Sequence, residues 1–478
     1  MRAGGRLHWM SYNLGIKMLP EPILSAAVRR PLGGISIVGG AGCSFEEPTN
    51  IPLSRQCSED AFHQLVLDGL LLETDCVDPA DLSKLADVVF AKFGTQQSLV
   101  DRLPLNRFRL ARANDGYLLL AALFREKVIA SFVTLNFDLV PLKALSDVGA
   151  MDEVAIIRGP EEHGNHRAHN VVFLHRSVDA PADQWILRTE QLDTAWKNGW
   201  EELVALRVVS SPITIFVGLG TPAAVLVESV SKVRAAIPGG THVYQVDVSD
   251  KEASEYFAAL HLADENYIQM GWTQFMEQLS ERVLAEQRLD LERSCREARA
   301  AGELDDADLN VIVARVTAVG LLALGRIRAE WMMKSSVYHP ALGPDLPFIA
   351  SVLIAVRAIE RHTNAQAVFR DSAVIEFREG ARSATSAAFI IAPGQRWLAL
   401  EPTIQRLRRR WNAHNPVPTS VFLCGAVGAR PGTVAPPERL LSTEQRDNIV
   451  APADTDLYDV EEVRANPALA LPKMEQPQ

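Results

Sequence analysis

The chain has 478 residues, 47% of them apolar and 22% charged, with a formal net charge of −11. That length exceeds one compact core and calls for two or three domains of ordinary globular composition. The acidity argues against a general nucleic-acid binder, and five scattered cysteines (Cys43, Cys57, Cys76, Cys295, Cys424) with no Cys-x-x-Cys pair exclude a cysteine zinc module and point to a reducing compartment.

Between Arg2 and Arg29 no apolar run reaches the length of a secretory signal core, and Met10 or Met18 could equally be the start. The most apolar helical stretch, Val311 to Ile327, is interrupted by Arg315 and Arg326 and followed by Arg328, so it reads as a core helix and not a membrane span. The expectation is a cytoplasmic protein.

Residues 1–32 form an extension without clear periodicity. The first strand is Ile35–Val38, and it opens into Gly39-Gly-Ala-Gly-Cys-Ser44, with Ile51-Pro52 and Arg55 beyond. Glycines without a Cβ let a backbone approach a phosphate or sugar closely, and Ser44 stands where a helix would start and be capped. From Ser58, a candidate N-cap, Phe62, Leu65, Val66 and Leu70 recur at helical spacing. Asp78-Pro79 reads as a cap with proline at the first helical position, ahead of Leu82, Leu85, Val88 and Val89. Tyr117 to Phe124 is a further apolar helix. A helical insert therefore separates the first strand from the second, Ile129–Thr134.

Short β-branched runs follow at Val154–Ile157, Val171–Leu174, Ile213–Val217 and Val243–Val246, with a helical pattern at Ala223–Ile237 between the last two. Strands of this kind alternating with helices predict an α/β fold with a parallel sheet covered on both faces, whose ligands bind at the carboxyl ends of the strands. Residues 33–284 make this domain. From about 285 the pattern changes to helices at Leu289–Ala301, Asp306–Met333 and Leu346–His362. Strands at Ala373–Phe377 and Ala387–Ile391, a helix at Leu400–Trp411 and a strand at Val421–Cys424 follow. Residues 285–430 are thus a smaller helical plus α/β domain, and 431–478, rich in Pro, Asp and Glu, an extended acidic tail.

The strand ends carry the candidate chemistry. The second strand delivers Thr134-Leu135-Asn136-Phe137-Asp138, a later one His175, and the next Gly218-Leu-Gly-Thr221 with Pro222 opening a helix. Asp247 ends another strand, suited to ribose hydroxyls or to capping a turn. The lesser reading of Asn136 and Asp138 is that they merely cap the helix that follows them. His163, His166 and His169 have ligand-like spacing in a charged loop without carboxylate periodicity. Glu376-Phe-Arg378 pairs a carboxylate and a base on a strand, and Arg406 to Trp411 is a basic helix face that could be solvated or meet a nucleotide.

The order GAG-x-S with Ile-Pro, then T-x-N-x-D, then a strand-end histidine, then a second glycine turn resembles the sirtuin family over residues 33 to about 280. More narrowly it is similar to the sirtuin-like NAD-cleaving effectors of bacterial antiphage defence, of the Thoeris type or associated with short Argonautes. The resemblance implies a Rossmann-like NAD site without a zinc module, with Asn136 and His175 catalytic at the nicotinamide–ribose end. It places Asp138 nearby, Gly40, Ala41, Gly42 and Ser44 at the pyrophosphate, and Gly218, Thr221 and Asp247 among the other NAD contacts. NAD is then a substrate, and no metal and no membrane are expected. The partners it implies are further copies of the chain and an activating nucleotide or protein, such as a short Argonaute, acting through the C-terminal domain. Leu135 replaces the glutamine of deacetylating sirtuins, Phe137 is aromatic as in the defence branch, and Arg176 stands where a glycine is expected. Three functions are compatible: an NAD glycohydrolase acting as an abortive-infection effector, an NAD-dependent protein deacylase, and a non-catalytic nucleotide-binding subunit.

Overall fold

A computed structural model of the chain describes residues 18–29, 33–331, 345–363, 365–370, 374–378, 385–393, 419–424 and 457–468. The chain divides into two compact units, Met1–Arg282 and Val283–Gln478.

The first unit is built on seven parallel strands: β1 Ile35–Gly39, β2 Ile129–Thr134, β3 Ala155–Ile157, β4 Asn170–Phe173, β5 Ile213–Val217, β6 His242–Asp247 and β7 Tyr267–Gln269. Their order in the sheet is β3-β4-β2-β1-β5-β6-β7. The strands are near-continuous apolar runs because helices cover both faces; every residue of β1, β4 and β5 is buried. Its helices are α1 Glu21–Val28, α2 Ala41–Phe45, α3 Ser54–Leu67, α4 Leu82–Phe93, α5 Gln97–Val100, α6 Leu105–Leu110, α7 Asp115–Arg125, α8 Val140–Val148, α9 Trp200–Val209, α10 Ala224–Ala236 and α11 Glu255–Ala259; α12 Trp272–Ala300 begins in this unit and runs on into the second. This is the parallel α/β sheet with a helical insert that the pattern predicts, Rossmann-like as the resemblance implies. The strand β7 is absent from that reading because only Ile268 of its three residues is β-branched, so no run marks it.

β1 fixes where a ligand can sit. It pairs with β2 on one side and with β5 on the other, so the chain reverses direction across the sheet at this strand. In open parallel sheets such a reversal leaves a crevice beyond the carboxyl ends. Gly39, Thr134, Phe173 and Val217 all end there.

Three helix starts differ from the sequence reading. Ser58 caps nothing: α3 already begins at Ser54, and Ser58 is buried inside it. The cap of α4 is Asp81, whose carboxylate accepts from the Ser83 and Lys84 amides, while Asp78 pairs with Lys84. Ser44 lies within α2, and its hydroxyl is used elsewhere. Part of the N-terminal extension is structured as well: α1 buries Ile23 and Ala27, and the Leu19 amide donates to Gln278.

The second unit has the sheet order β12-β11-β10-β9-β8, from β8 Gln366–Arg370, β9 Val374–Arg378, β10 Thr385–Pro393, β11 Thr419–Cys424 and β12 Leu457–Asp459. β8, β9 and β10 run antiparallel, whereas β10, β11 and β12 are parallel. Its helices include α13 Asp306–Thr317, α14 Leu321–Trp331 and α15 Asp345–Thr363. The stretch read as one helix from Asp306 is thus two, parted at residues 318–320. β12 and the helix Val460–Ala465 fall inside the stretch expected to be an extended tail. Val460 and Val463 are buried, which gives that segment a reason to fold. Buried Asp308 takes Arg357 and Arg361, and buried Glu360 takes Arg315 and Arg357, so these interior charges are compensated. Glu376 is buried on β9 and paired with Arg378, its neighbour two residues on. The helix read at Leu400–Trp411, with its basic face, lies outside the described residues. Among the described residues no helix is long and apolar enough to cross a membrane.

Candidate active site at the strand ends

The glycines after β1 serve a contact between two loops. The Gly40 amide donates to Val217 O and the Gly42 amide to Gly218 O, at 3.0 and 2.9 Å. A Cβ on Gly42 would stand 2.7 Å from Gly218 Cα, and one on Gly40 would stand 2.6 Å from Gly218 O. Gly218 itself has φ +61°, which glycine adopts without cost. The two glycine turns expected from sequence therefore interlock backbone to backbone. The N–H groups of Gly40 and Gly42 are spent on that contact and are not free for a phosphate.

Ser44 is the hub of the buried polar cluster. Its Oγ donates to Asp138 Oδ2 at 2.8 Å, lies 2.9 Å from the Tyr117 hydroxyl and accepts from Asn136 Nδ2 at 3.1 Å. With its one hydrogen on Asp138, Ser44 must accept from Tyr117. Burial raises the Tyr117 pKa well above the usual phenol value and the Asp138 charge adds to it, so Tyr117 stays a donor. Asp138 takes a second bond, from the Val140 amide, and so also holds the start of α8. Burial pushes its pKa up to about 6, although the bonds from Ser44 and Val140 pull it down.

Asn136 is oriented by this cluster. Its Nδ2 donates to Gly40 O at 3.0 Å and to Ser44 Oγ. The reversed amide would set Oδ1 against the Gly40 carbonyl, so the orientation is fixed. Both N–H bonds are used inward, and Oδ1 is left as an acceptor at the strand ends with no partner among the described residues.

His175 follows β4 by two residues. It is partly buried, and neither ring nitrogen has a hydrogen-bond partner among the described residues. Burial, with a smaller contribution from the neighbouring Arg176 charge, lowers its pKa to about 4. It is therefore a neutral imidazole at physiological pH.

Arg176 has φ +77°, a left-handed backbone that costs a side-chain-bearing residue about 1–2 kcal/mol. The loop thus keeps the conformation a glycine would give it. The guanidinium reaches Glu201 on α9 at 3.2 Å and Leu174 O at 3.3 Å, and lies 5.0 Å from the centre of the Trp200 ring.

The strap after His175 is closed onto the chain. Phe137 stacks on buried Trp185 with centroids 4.1 Å apart. Gln96 Nε2 donates to Ala182 O and Trp185 O, the Val178 amide donates to Phe137 O, and the Ile186 amide to His175 O. The helical insert supplies Gln96, so it acts as the wall behind this strap.

Other expected residues stand apart from the cluster. Thr221 is exposed in the turn before α10, and the Ala223 amide there is taken by the Tyr256 hydroxyl. Asp247 accepts from the Ser249 amide, the turn-capping alternative. Ala41 opens α2 beside the interlocked glycines. His163 accepts from the Trp200 indole and His169 bonds Ile129 O. Among the described residues no three His, Cys, Asp or Glu side chains gather to hold a metal ion. Sequence reasoning missed Tyr117, Trp185 and Glu201, each of which acts across long stretches of chain. It also missed Glu46, whose carboxylate accepts from the Trp272 and Thr273 amides at the start of α12.

No family model matches the sequence, and no curated protein matches it. Solved structures similar to the chain include a Sir2 homologue in complex with NAD, 17% identical, covering 56% of this chain and 94% of that one with a TM-score of 0.34. Others are a variant Sir2 homologue in complex with ADP-ribose (17%, 55% and 96%, TM-score 0.32) and a Sir2 protein bound to acetylated peptide (15%, 52% and 92%, TM-score 0.29). At such identities and TM-scores, what this site does rests on its own side chains.

Proposed function

We propose that the first unit binds NAD beyond the carboxyl ends of β1, β2, β4 and β5 and hydrolyses it to ADP-ribose and nicotinamide. The observation that carries this reading is Asn136, whose amide is locked with a carbonyl oxygen that takes no partner among the described residues, following β2 as His175, neutral and likewise without a partner among the described residues, follows the adjacent β4. Cleavage of the nicotinamide–ribose bond leaves the bonding pair on nicotinamide and builds oxocarbenium character at the anomeric carbon. Water then adds to that carbon and gives up a proton. Asn136 Oδ1 can accept from the water or a ribose hydroxyl without bringing a charge that would trap the cation. His175 is the neutral group suited to accept the proton, a role whose contribution falls as its pKa, lowered to about 4, moves away from the operating pH.

The strap Ser177–Arg188 favours hydrolysis over deacylation. A peptide substrate commonly docks by pairing its backbone with free groups of the enzyme. Here Val178, Ala182, Trp185 and Ile186 already spend theirs on Phe137, Gln96 and His175. The motif order supports a place among sirtuin-like antiphage effectors. In that reading the second unit keeps a cytoplasmic oligomer idle until a nucleotide or a protein such as a short Argonaute releases it.

Incubating the purified full chain with NAD and separating the products tests the reaction class. The expected result is nicotinamide and ADP-ribose in equal amounts, with no acetyl release from acetylated peptides. NAD-dependent acetyl release would establish the deacylase instead.

A further inference from the structure

We propose that Arg176 is a positioning residue for the reaction at the strand ends, holding the turn that aims His175 through a clamp on Glu201 and Trp200 of α9. The proposal rests on the NAD-cleaving reading for its kinetic consequences, but its geometry is independent of it.

The His175 ring has no hydrogen bond among the described residues, so no side-chain partner sets its direction. Its backbone conformation and the packing around the ring do so. On one side the His175 carbonyl is held by the Ile186 amide at 3.3 Å. On the other side stands Arg176, at φ +77°. A residue with a Cβ leaves that conformation readily unless something holds it. The holding contacts are the 3.2 Å pair with Glu201, the bond to Leu174 O and the Trp200 ring, with the Arg176 and Glu201 side chains only 12% and 15% exposed. The anchor is itself rigid: Trp200 packs in the same apolar cluster as Leu174, Val204 and Val208, and its indole donates to His163. A glycine here would give the same turn with no clamp. Arginine gives the turn, a fork that reads both a carboxylate and a carbonyl, and a fixed positive charge beside the imidazole.

Arg176 is the charged group that acts on the His175 ring. Glu201 faces the guanidinium from α9, while the acids of the strap, Asp179 and Asp183, are engaged by Arg109 and Thr95. Clamp and charge are separable. Arg176→Gly fits the backbone and removes both; Arg176→Lys keeps the charge and loses the fork and the ring stacking.

The test is NAD turnover across pH by the full-length protein and these two variants, with the His175 imidazole followed by NMR without NAD. Misplacing a reacting group by about 1 Å costs roughly 100-fold. Both variants are therefore expected to lose about that much in kcat while KM for NAD stays within about threefold. Arg176→Gly should also raise the His175 titration from about 4, and Arg176→Lys should leave it low. Wild-type kcat in Arg176→Gly, or a change confined to KM, would overturn the proposal. If the wild type does not cleave NAD, the NMR signal decides alone. A shifted or broadened His175 resonance in both variants supports the clamp, and an unchanged one in both removes it.

Discussion

At the scale of single residues, the site depends on how four polar groups divide their hydrogens. Ser44 saturates its hydroxyl with one donated and two accepted bonds. Ser44→Ala leaves Asp138, Tyr117 and Asn136 each short of a buried partner, at about 1–3 kcal/mol for such a group. Tyr117→Phe deletes only one bond, at about 1 kcal/mol. Urea unfolding should therefore rank Ser44→Ala as clearly the less stable, and equal midpoints would contradict the hub. Two buried titrations also oppose one another. Asp138 is raised from 3.8 to about 6, so its contribution to stability is full below 3.8 and is lost as pH rises through about 6. His175 is lowered from 6.5 to about 4, so its contribution is present above 6.5 and is lost as pH falls towards about 4. Each is on the order of 3 kcal/mol, and over pH 4–6 they nearly offset. Asp138→Asn removes one of them. The stability advantage of wild type over this variant is expected to be larger at pH 4 than at pH 7, by urea unfolding at each pH. An advantage that grows with pH would show the Asp138 assignment wrong.

Elements were legible where packing writes itself into a run of residues. The runs Ile129–Thr134 and Ile213–Val217 are continuous and β-branched because both faces of the sheet are covered, and both strands have those bounds. Helix starts were less so, because a cap is one side chain whose role depends on where the chain turns. Asp78 and Asp81 stand three residues apart, and only the latter reaches the first amides of α4. The glycine turns were read as ligand-facing because the sequence cannot show that Gly42 and Gly218 meet across 176 positions, the difference of their numbers. Asn136, His175 and Ser44 were legible as strand-end residues; Tyr117 was not, since it reads as one more apolar position of a helix. The interlock makes its own prediction. Gly42→Ala places a Cβ against Gly218 backbone, where no side chain can swing aside. Overpacking of this kind costs about 1–3 kcal/mol. The variant is expected to unfold at lower urea and to show a raised KM for NAD. Unchanged values in both would mean that the loops part at no cost.

For the whole molecule, the seven-stranded sheet is complete by Gln269 and α12 by Ala300, and among the described residues the second unit contributes no strand to that sheet. If the first unit cleaves NAD as proposed, that activity has to be restrained in a living cell, and residues beyond α12 are the remaining large part of the chain. A chain ending at Ala300 is expected to fold and to differ from the full chain in NAD turnover. Identical turnover with and without an activating condition would contradict a regulatory second unit. The central claim is narrower: Asn136 and His175 perform NAD cleavage together at the ends of β2 and β4. The most direct test is nicotinamide release by the wild type, Asn136→Ala and His175→Ala under conditions where the wild type is active, at matched thermal stability. The account predicts that each variant loses turnover by at least about 100-fold with its fold intact. Undiminished release from either one would contradict it.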